Sequence, residues 1–514
     1  MRLTQQSSNE PAVAPGLLPS PPTSQEKQSY LERHRVYLTF VIVVGNLSVL
    51  GSQILLEDRF DLWILVPYTL FNLAYVLTSW PNRAGPDFDY EGHKARVDSW
   101  QPGSYPSVDI HLPIFGEPLH ILRNTWSYVS ELIEKYPGRV QAYVLDDGCN
   151  EKARELAADF GFKYIMRDNP GWMMKSGNLL NAFNKTVGEF IVILDADFVP
   201  RTDFLAETLP YFDDPKIAIV QTPQYFRTTP QQNWIERSAG AVQEMFYRFI
   251  QVSRDNYDAS ICVGSCAAYR RKALEAVGGP TLIEHSEDVH TGFDLRAAGW
   301  TVRYIPVAVA TGVCPSDAES FLTQQYRWCE GSMSFLGARK FWKTKMSKTA
   351  RCCFISGFCY YGFTAVELLV GPLIPSLLLI LVPLQMEQVG YLWLAPGIAA
   401  DMVLYPLWHR SSYGPRIWSL IMIRNWAHAL ALFDNIRGRH MGWQVTGSSG
   451  RKSKVRRFWI GVTAWNGGAA LAWLGLAAWR MTQYGAERYA IITGFGVFYA
   501  VTVACVLWSY ERKP

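Results

Sequence analysis

Between residues 98 and 345, short β-branched and apolar runs alternate with stretches of helical spacing, whereas on either side the chain stays apolar over segments of about twenty residues. The runs at 107–112, 140–145 and 190–194 have strand length, and each ends in a polar turn. Strands alternating with helices predict an α/β domain built on a largely parallel sheet. In such sheets ligands bind outside the carboxyl ends of the strands, so the chemistry is expected in those turns. The long apolar segments predict membrane spans at 36–56, 62–80, 364–384, 391–408, 458–479 and 489–508. A mixed segment at 417–433, carrying Arg424, Asn425 and His428, predicts an interfacial helix.

The domain order follows: a tail at 1–35, two spans within 36–80, the α/β domain at 98–345, and interfacial helices with four spans over 346–514. The tail holds Pro11, Pro15, Pro19, Pro21 and Pro22 among small polar residues and is expected to be disordered. Lys27, Arg33 and Arg35 precede the first span without a small-residue cleavage pattern, so that span is expected to remain as an anchor. Arg451, Lys452, Lys454, Arg456 and Arg457 crowd the 409–457 loop, while the 57–61 tip holds only Arg59 and the 385–390 tip no basic residue. Arg480 and Arg488 at the last tip are a milder exception. That asymmetry puts both termini, the α/β domain and the basic loop on the cytoplasmic side of the membrane, which is expected to be the plasma (inner) membrane.

Composition narrows the picture. The chain has 514 residues, 49% hydrophobic and 18% charged, with a net charge of +4. That is too polar to be transmembrane throughout and too weakly basic for a nucleic-acid partner. The nine cysteines show no CxxC pairing and read as reduced, structural residues.

The turns carry Asp146-Asp147-Gly148, Asp195-Ala196-Asp197, Ser286-Glu287-Asp288 and Gln324-Gln325-Tyr326-Arg327-Trp328. Two carboxylates one residue apart can hold a hard divalent cation, which neutralises a pyrophosphate. Transfer from a nucleotide donor also needs a cation near the departing diphosphate, for which Arg327 is a candidate, and a carboxylate to take the proton of the attacking hydroxyl, for which Asp288 is the candidate base. His285 and His290 flank that motif but lack a third ligand of zinc spacing, and are read as structural residues of a helix surface. Trp234, Trp300 and Trp342 are read as packing residues. Glu367, inside an apolar segment, is expected to line or support a channel.

With Pro113-Ile114-Phe115-Gly116-Glu117 and Lys175-Ser176-Gly177-Asn178 added to these motifs, the chain resembles over 108–446 the membrane-embedded, processive family 2 glycosyltransferases of the cellulose synthase-like group. The resemblance implies a GT-A (Rossmann-like) α/β fold and a UDP-sugar hexosyltransferase. It implies donor contacts from Pro113, Glu117, Asp147, Lys175, Asp195, Gln324 and Arg327, and a Mg2+ or Mn2+ ion on Asp195 and Asp197. Asp288 would be the base, and Gly264, Ser265, Glu287 and Trp328 would meet the acceptor. Trp443, Val445 and Thr446 would belong to a gating loop at about 440–452 that covers the donor.

The implied reaction is processive, inverting synthesis and translocation of a β-glucan from UDP-glucose, with β-1,4 linkage as the default and β-1,3 or mixed linkage close behind. The implied partners are the UDP-sugar, the growing polysaccharide, the bilayer and a secretion or assembly partner. The alternatives are single transfer to a lipid carrier, a chitin- or hyaluronan-like polymer, and an inert membrane subunit. Phe198 stands where cellulose-making members commonly have His, Ile114 and Phe115 replace Thr and Tyr, and Trp443 and Ser448 replace Phe and Lys in the loop. These departures bear on sugar and linkage rather than on reaction class. Regulation in cis by a cyclic dinucleotide is not expected.

Overall fold

The computed structural model describes residues 18–511 apart from 33, 61–62, 84, 386–392 and 439–451. The predicted strand runs form β1 (Val108–Ile114), β2 (Val140–Asp146) and β4 (Phe190–Ile193), with β3 (Lys163–Met166) between the last two in sequence. Further along lie β5 (Val199–Pro200), β6 (Ile217–Gln221), β7 (Tyr225–Phe226), β8 (Ala267–Arg270), β9 (Thr301–Tyr304) and β10 (Ala310–Gly312). Seven of them make one sheet in the order β3-β2-β1-β4-β8-β6-β9, and β5-β10-β7 make a small second one. In the large sheet only β8 runs against its neighbours, pairing antiparallel with both β4 and β6.

Both faces of the large sheet are covered, which is why its strands read as continuous apolar runs. Ile110 and Leu112 of β1 pack with Leu122, Trp126, Val129 and Leu132, the apolar stripe of helix Leu119–Lys135. On the opposite face Tyr143, Leu145, Ile191 and Ile193 pack with Leu179 and Ala182 of helix Met174–Lys185. Trp126 is fully buried, and its loss to Ala would cost about 3–5 kcal/mol. The parallel register sets the ends of β1, β2 and β4 side by side, with Ile114 opposite Asp146 and His111 opposite Ile193.

Three helices among the described residues are long and apolar enough to cross a membrane: Arg35–Leu55, Lys348–Val370 and Ala486–Ser509. The second begins well before the expected 364–384 segment, because the Ser347 hydroxyl caps it by accepting a bond from Ala350 N–H at 3.0 Å. It stops at Val370, and Leu373–Leu381 follows Gly371 and Pro372. Pro372 and Pro375 lack the N–H groups that a continuous ladder requires. The expected interfacial segment is helical over Ile417–Ile436, but it is largely buried against helices Ala318–Met333 and Lys348–Val370. Some of its polar groups meet protein, as where His428 Nδ1 lies 2.7 Å from Thr364 Oγ1.

The amino-terminal segment departs most from expectation. Residues 18–32 lie along the α/β domain instead of forming part of a disordered tail. Asn124 Nδ2 donates to the Pro19 carbonyl at 2.9 Å, Arg227 grips Glu26 at 2.6 and 2.8 Å, and Lys27 bridges Asp203, at 2.7 Å, and Glu207. Tyr30 and Leu31 are buried. A few charged and aromatic anchors do here what average apolarity does not reveal. Farther on, Glu32 receives Trp408 Nε1 at 2.7 Å and lies 3.0 Å from Arg248, whose Nη1 donates to Glu244 at 2.6 Å.

Candidate active site

The two aspartates after β2 divide their work. Asp146 closes the turn, accepting bonds from Gly148 N–H at 2.6 Å, Asn150 N–H at 2.8 Å and Tyr164 O–H at 2.5 Å. Asp147 is the one that lines the cavity, and Arg167 holds both of its oxygens, Nε donating at 2.5 Å. Gly148 lets the turn pass β1, because a Cβ there would lie 2.7 Å from the Phe115 carbonyl oxygen. Glu117 folds back so that its Oε2 accepts from Phe115 N–H at 2.7 Å and Gly116 N–H at 3.2 Å. Burial raises its pKa against those bonds.

After β4 comes the aspartate pair. Asp195 N–H donates to Ser265 Oγ at 2.9 Å, and its carboxylate receives Lys175 Nζ at 2.5 Å. Lys175 also reaches the Gly264 carbonyl at 3.2 Å and lies 3.8 Å from Glu287. Burial alone would lower its pKa, but Asp195 and Glu287 raise it on balance, so it stays charged. Asp197 is pushed up to about 7, first by burial and then by Asp195, with Glu117 adding to the effect. Two hard oxygen ligands carrying surplus buried negative charge fit a divalent cation, and Asp195 and Asp197 are the residues that could hold one. Among the described residues no cluster of three or more His, Cys, Asp or Glu forms a metal site. Phe198 takes no part in binding an ion. Its ring packs edge-on to Phe226 at 5.7 Å and fills the space a Cβ on Gly312 would need.

Asp288 lies in the first turn of helix Glu287–Ala297, entered through Ser286 in a left-handed conformation with φ of 55°. Burial, then Glu287, pushes its carboxyl up to about 7, with Lys175 opposing. That value suits a base working near neutrality. Gly264, at φ of 77°, passes directly behind it: a Cβ would come within 2.8 Å of Asp288 Oδ2. Gly264 and Ser265 therefore back Asp288 and Asp195, and neither belongs to the wall of the main cavity.

Helix Ala318–Met333 is capped by Asp317, whose side chain accepts from Glu319 and Ser320 N–H at 3.0 and 2.9 Å. The i, i+3, i+4 spacing turns Gln324, Arg327 and Trp328 to one side, where all three line the cavity. On another side Tyr326 O–H donates to Asp434 at 3.0 Å, and Asp434 takes Arg457 at 2.9 and 2.8 Å. Burial lowers the Arg327 pKa, while the Glu287 and Asp195 charges work to keep it protonated.

One cavity of about 1040 Å3 joins these parts. Pro113, Glu117, Asp147, Lys175, Asp195, Asp197, Glu287, Asp288, Gln324, Arg327 and Trp328 all line it. It continues among the membrane-side helices past Tyr68, Tyr75, Tyr360, Phe363, Glu367, Asp401 and Arg424. There Phe363 stacks on Tyr75 at 5.5 Å and on Tyr68 at 6.1 Å. Trp443, Val445 and Thr446 lie outside the described residues. Sequence reasoning missed Arg167, which sits one residue past β3 and so beside the Asp147 turn. It also missed the Tyr75 and Phe363 pair, visible only as aromatics in apolar segments, and it misplaced His285, which lines the cavity instead of a helix surface.

The profile of the family described as glycosyl transferase family group 2 matches residues 190–507. The chain belongs to this family. Its seven-stranded mixed sheet with helices on both faces is the α/β architecture that the resemblance implied. This family 2 chain is 31% identical over 310 residues to the UDP-forming cellulose synthase catalytic subunit of Pseudomonas fluorescens (strain SBW25), a match covering 58% of the chain and 40% of that protein. Against the corresponding subunit of Komagataeibacter sucrofermentans identity is 30% over 346 residues, covering 63% and 42%. The family 2 chain thus spans less than half the length of these curated relatives. Among solved structures it is similar to a mannosyltransferase of Pyrobaculum calidifontis in complex with GDP-Man and Mn2+, at 16% identity and a TM-score of 0.48, covering 73% of this chain and 99% of that one.

Proposed function

We propose that this chain is a processive, inverting UDP-sugar hexosyltransferase that polymerises a β-glucan from UDP-glucose on the cytoplasmic face of the plasma membrane and passes it through its own helices. The observation that carries the proposal is the continuity of one cavity from the Asp195, Asp197 and Asp288 carboxylates, past Trp328, to an aromatic passage among the membrane-side helices. A single transfer to a lipid carrier needs no such passage. Likeness to UDP-forming cellulose synthase subunits supports UDP-glucose and a β-1,4 linkage.

In the proposed step a hydroxyl oxygen of the chain's terminal sugar attacks the anomeric carbon. The new carbon–oxygen bond forms as the bond to the diphosphate breaks, the hydroxyl proton passes to Asp288, and UDP departs. Single displacement inverts the anomeric centre, so an α-linked donor gives a β-linked product. Lys175 and Arg327 place positive charge where the diphosphate gains negative charge. A Mg2+ or Mn2+ ion, held by Asp195 and Asp197 when bound, would supply further charge neutralisation. Glu117 and Asp147 meet the nucleoside. Trp328 offers an indole face to a pyranose ring that can be vacated and re-occupied as the polymer advances.

The test is to incubate purified full-length protein with radiolabelled UDP-sugars and Mg2+ or Mn2+, then digest the product with linkage-specific glucanases. High-molecular-weight material from UDP-glucose, cut by a β-glucanase, is the expected result. A lipid-soluble product bearing one sugar, or no polymer from any UDP-sugar, would overturn the reading.

A further inference from the structure

The segment from Arg167 to Lys175 leads from the Asp147 side of the cavity to the Asp195 side, and its backbone is unusual. Met173 and Met174 both take left-handed conformations, with φ of 51° and 46°. Side chains of L residues disfavour that region, and two such residues in succession persist only where their surroundings impose it. Neither is glycine, so the turn has to be held from outside.

Arg167 holds it. The side chain is only 2% exposed, and its donors are spent on both flanks of the left-handed pair: Nη1 donates to the Trp172 carbonyl at 2.5 Å and Nη2 to the Met174 carbonyl at 3.1 Å. Nε and Nη2 grip the two oxygens of Asp147 at the same time. The Met173 carbonyl accepts from Ser176 Oγ at 2.7 Å and Gly177 N–H at 3.2 Å, which fastens the turn to its helix. Gly177 leaves the room this needs, because a Cβ there would collide with the Trp172 carbonyl oxygen and with Arg167 Nη1. Directly after the pair comes Lys175, reaching Asp195 and the Gly264 carbonyl. Asp147 and Lys175 line the cavity, and Arg167 stands behind them outside its wall.

We propose that Arg167 is a positioning residue for the nucleotide donor: by holding the Met173–Met174 turn it sets Lys175 at the diphosphate, and by holding Asp147 it ties the nucleoside end to the same guanidinium. The inference rests on reading Asp147 and Lys175 as donor contacts. A planar fork suits this task, since it meets a carboxylate and two carbonyls in fixed directions, whereas a lysine ammonium is a point charge on a flexible stem.

The test measures calorimetric binding of uridine and of UDP to full-length protein in lipid nanodiscs at saturating Mn2+. The ratio of the two Kd values isolates what the diphosphate contributes. Arg167→Lys keeps a positive charge beside Asp147 and loses the fork. It is expected to weaken uridine binding severalfold and to lower the preference for UDP over uridine about tenfold, the scale of one charge-assisted hydrogen bond. Glycine adopts left-handed conformations without strain, so adding Met173→Gly and Met174→Gly to Arg167→Lys should recover most of the UDP preference and none of the uridine affinity. An unchanged preference in Arg167→Lys would overturn the proposal. So would equal losses for uridine and UDP with a lower Tm, or no recovery from the two glycines, either of which would mark Arg167 as a packing residue. If the unsubstituted protein binds neither uridine nor UDP, the reading of the donor site fails and this inference with it, an outcome distinct from a UDP-binding parent with an indifferent Arg167→Lys.

Discussion

At the polar end of the cavity Lys175 is shared among Asp195, the Gly264 carbonyl and Glu287, and Arg167 holds both oxygens of Asp147. At the membrane end Tyr75 and Phe363 simply lie face to face at 5.5 Å. Charge needs this cross-bracing, because a carboxylate taken out of water must be paired or must hold its proton. A passage for a sugar chain needs the reverse: broad faces that grip weakly and give no deep resting place. Directional contacts are thus concentrated at one end and non-directional ones at the other, as the proposed division between chemistry and movement requires.

That contrast can be broken by experiment. The largest effect is expected from Asp288→Asn, which removes the proposed base and should lower kcat by about 10²–10⁴-fold while UDP still binds, as read by calorimetry. Retained turnover would show that the base lies elsewhere. Arg327→Ala should cost about 10²–10³-fold in kcat, because in the proposed step the charge it faces grows only as UDP departs. A loss confined to KM would assign Arg327 to ground-state binding instead.

The pH profile is the next step down. With the Asp288 carboxyl raised to about 7, the ionised base is lost as pH falls through that value. In log kcat against pH, the rate should drop about tenfold per unit below 7 and level off above it. A flat profile between pH 5 and 8 would exclude Asp288 as the titrating group. The smallest effect is expected at the other end. Tyr75→Ala combined with Phe363→Ala should shorten the product severalfold while UDP release per enzyme changes by about threefold or less, given the roughly 0.5–1.5 kcal/mol that such aromatic contacts contribute. A double variant as inactive as Asp288→Asn would erase the distinction between the two ends.

Much of the polar end could be read from the sequence because strand periodicity places the turns, and the turns carry short-range motifs. Asp147, Asp195 and Asp197 come together through the parallel pairing of β1, β2 and β4, and Lys175, Asp288 and Trp328 join them from the starts or cavity faces of three helices. What escaped depends on contacts between distant segments. Arg167 gives no local sign that it will meet Asp147. Gly264 and Ser265 are near the site but behind it, a distinction set by which way a left-handed turn faces. Hydropathy located apolar text at 364–384, yet Ser347 and Pro372 decided where the helices begin and end. The amino-terminal segment was hidden most completely, since Glu26 and Lys27 look like ordinary solvated charges until Arg227, Asp203 and Glu207 are seen beside them.

That segment has a mechanical side. Under the proposed function, a polymer advancing into a narrow passage would push back on the domain that extends it. Glu26 and Lys27 are fastened to that domain, Arg35 opens the first membrane helix, and Glu32 between them is tied to Trp408 and Arg248. Under the proposed function, the anchors at Glu26, Lys27 and Glu32 would take up that push by tying the transferase domain to Trp408 and its neighbours.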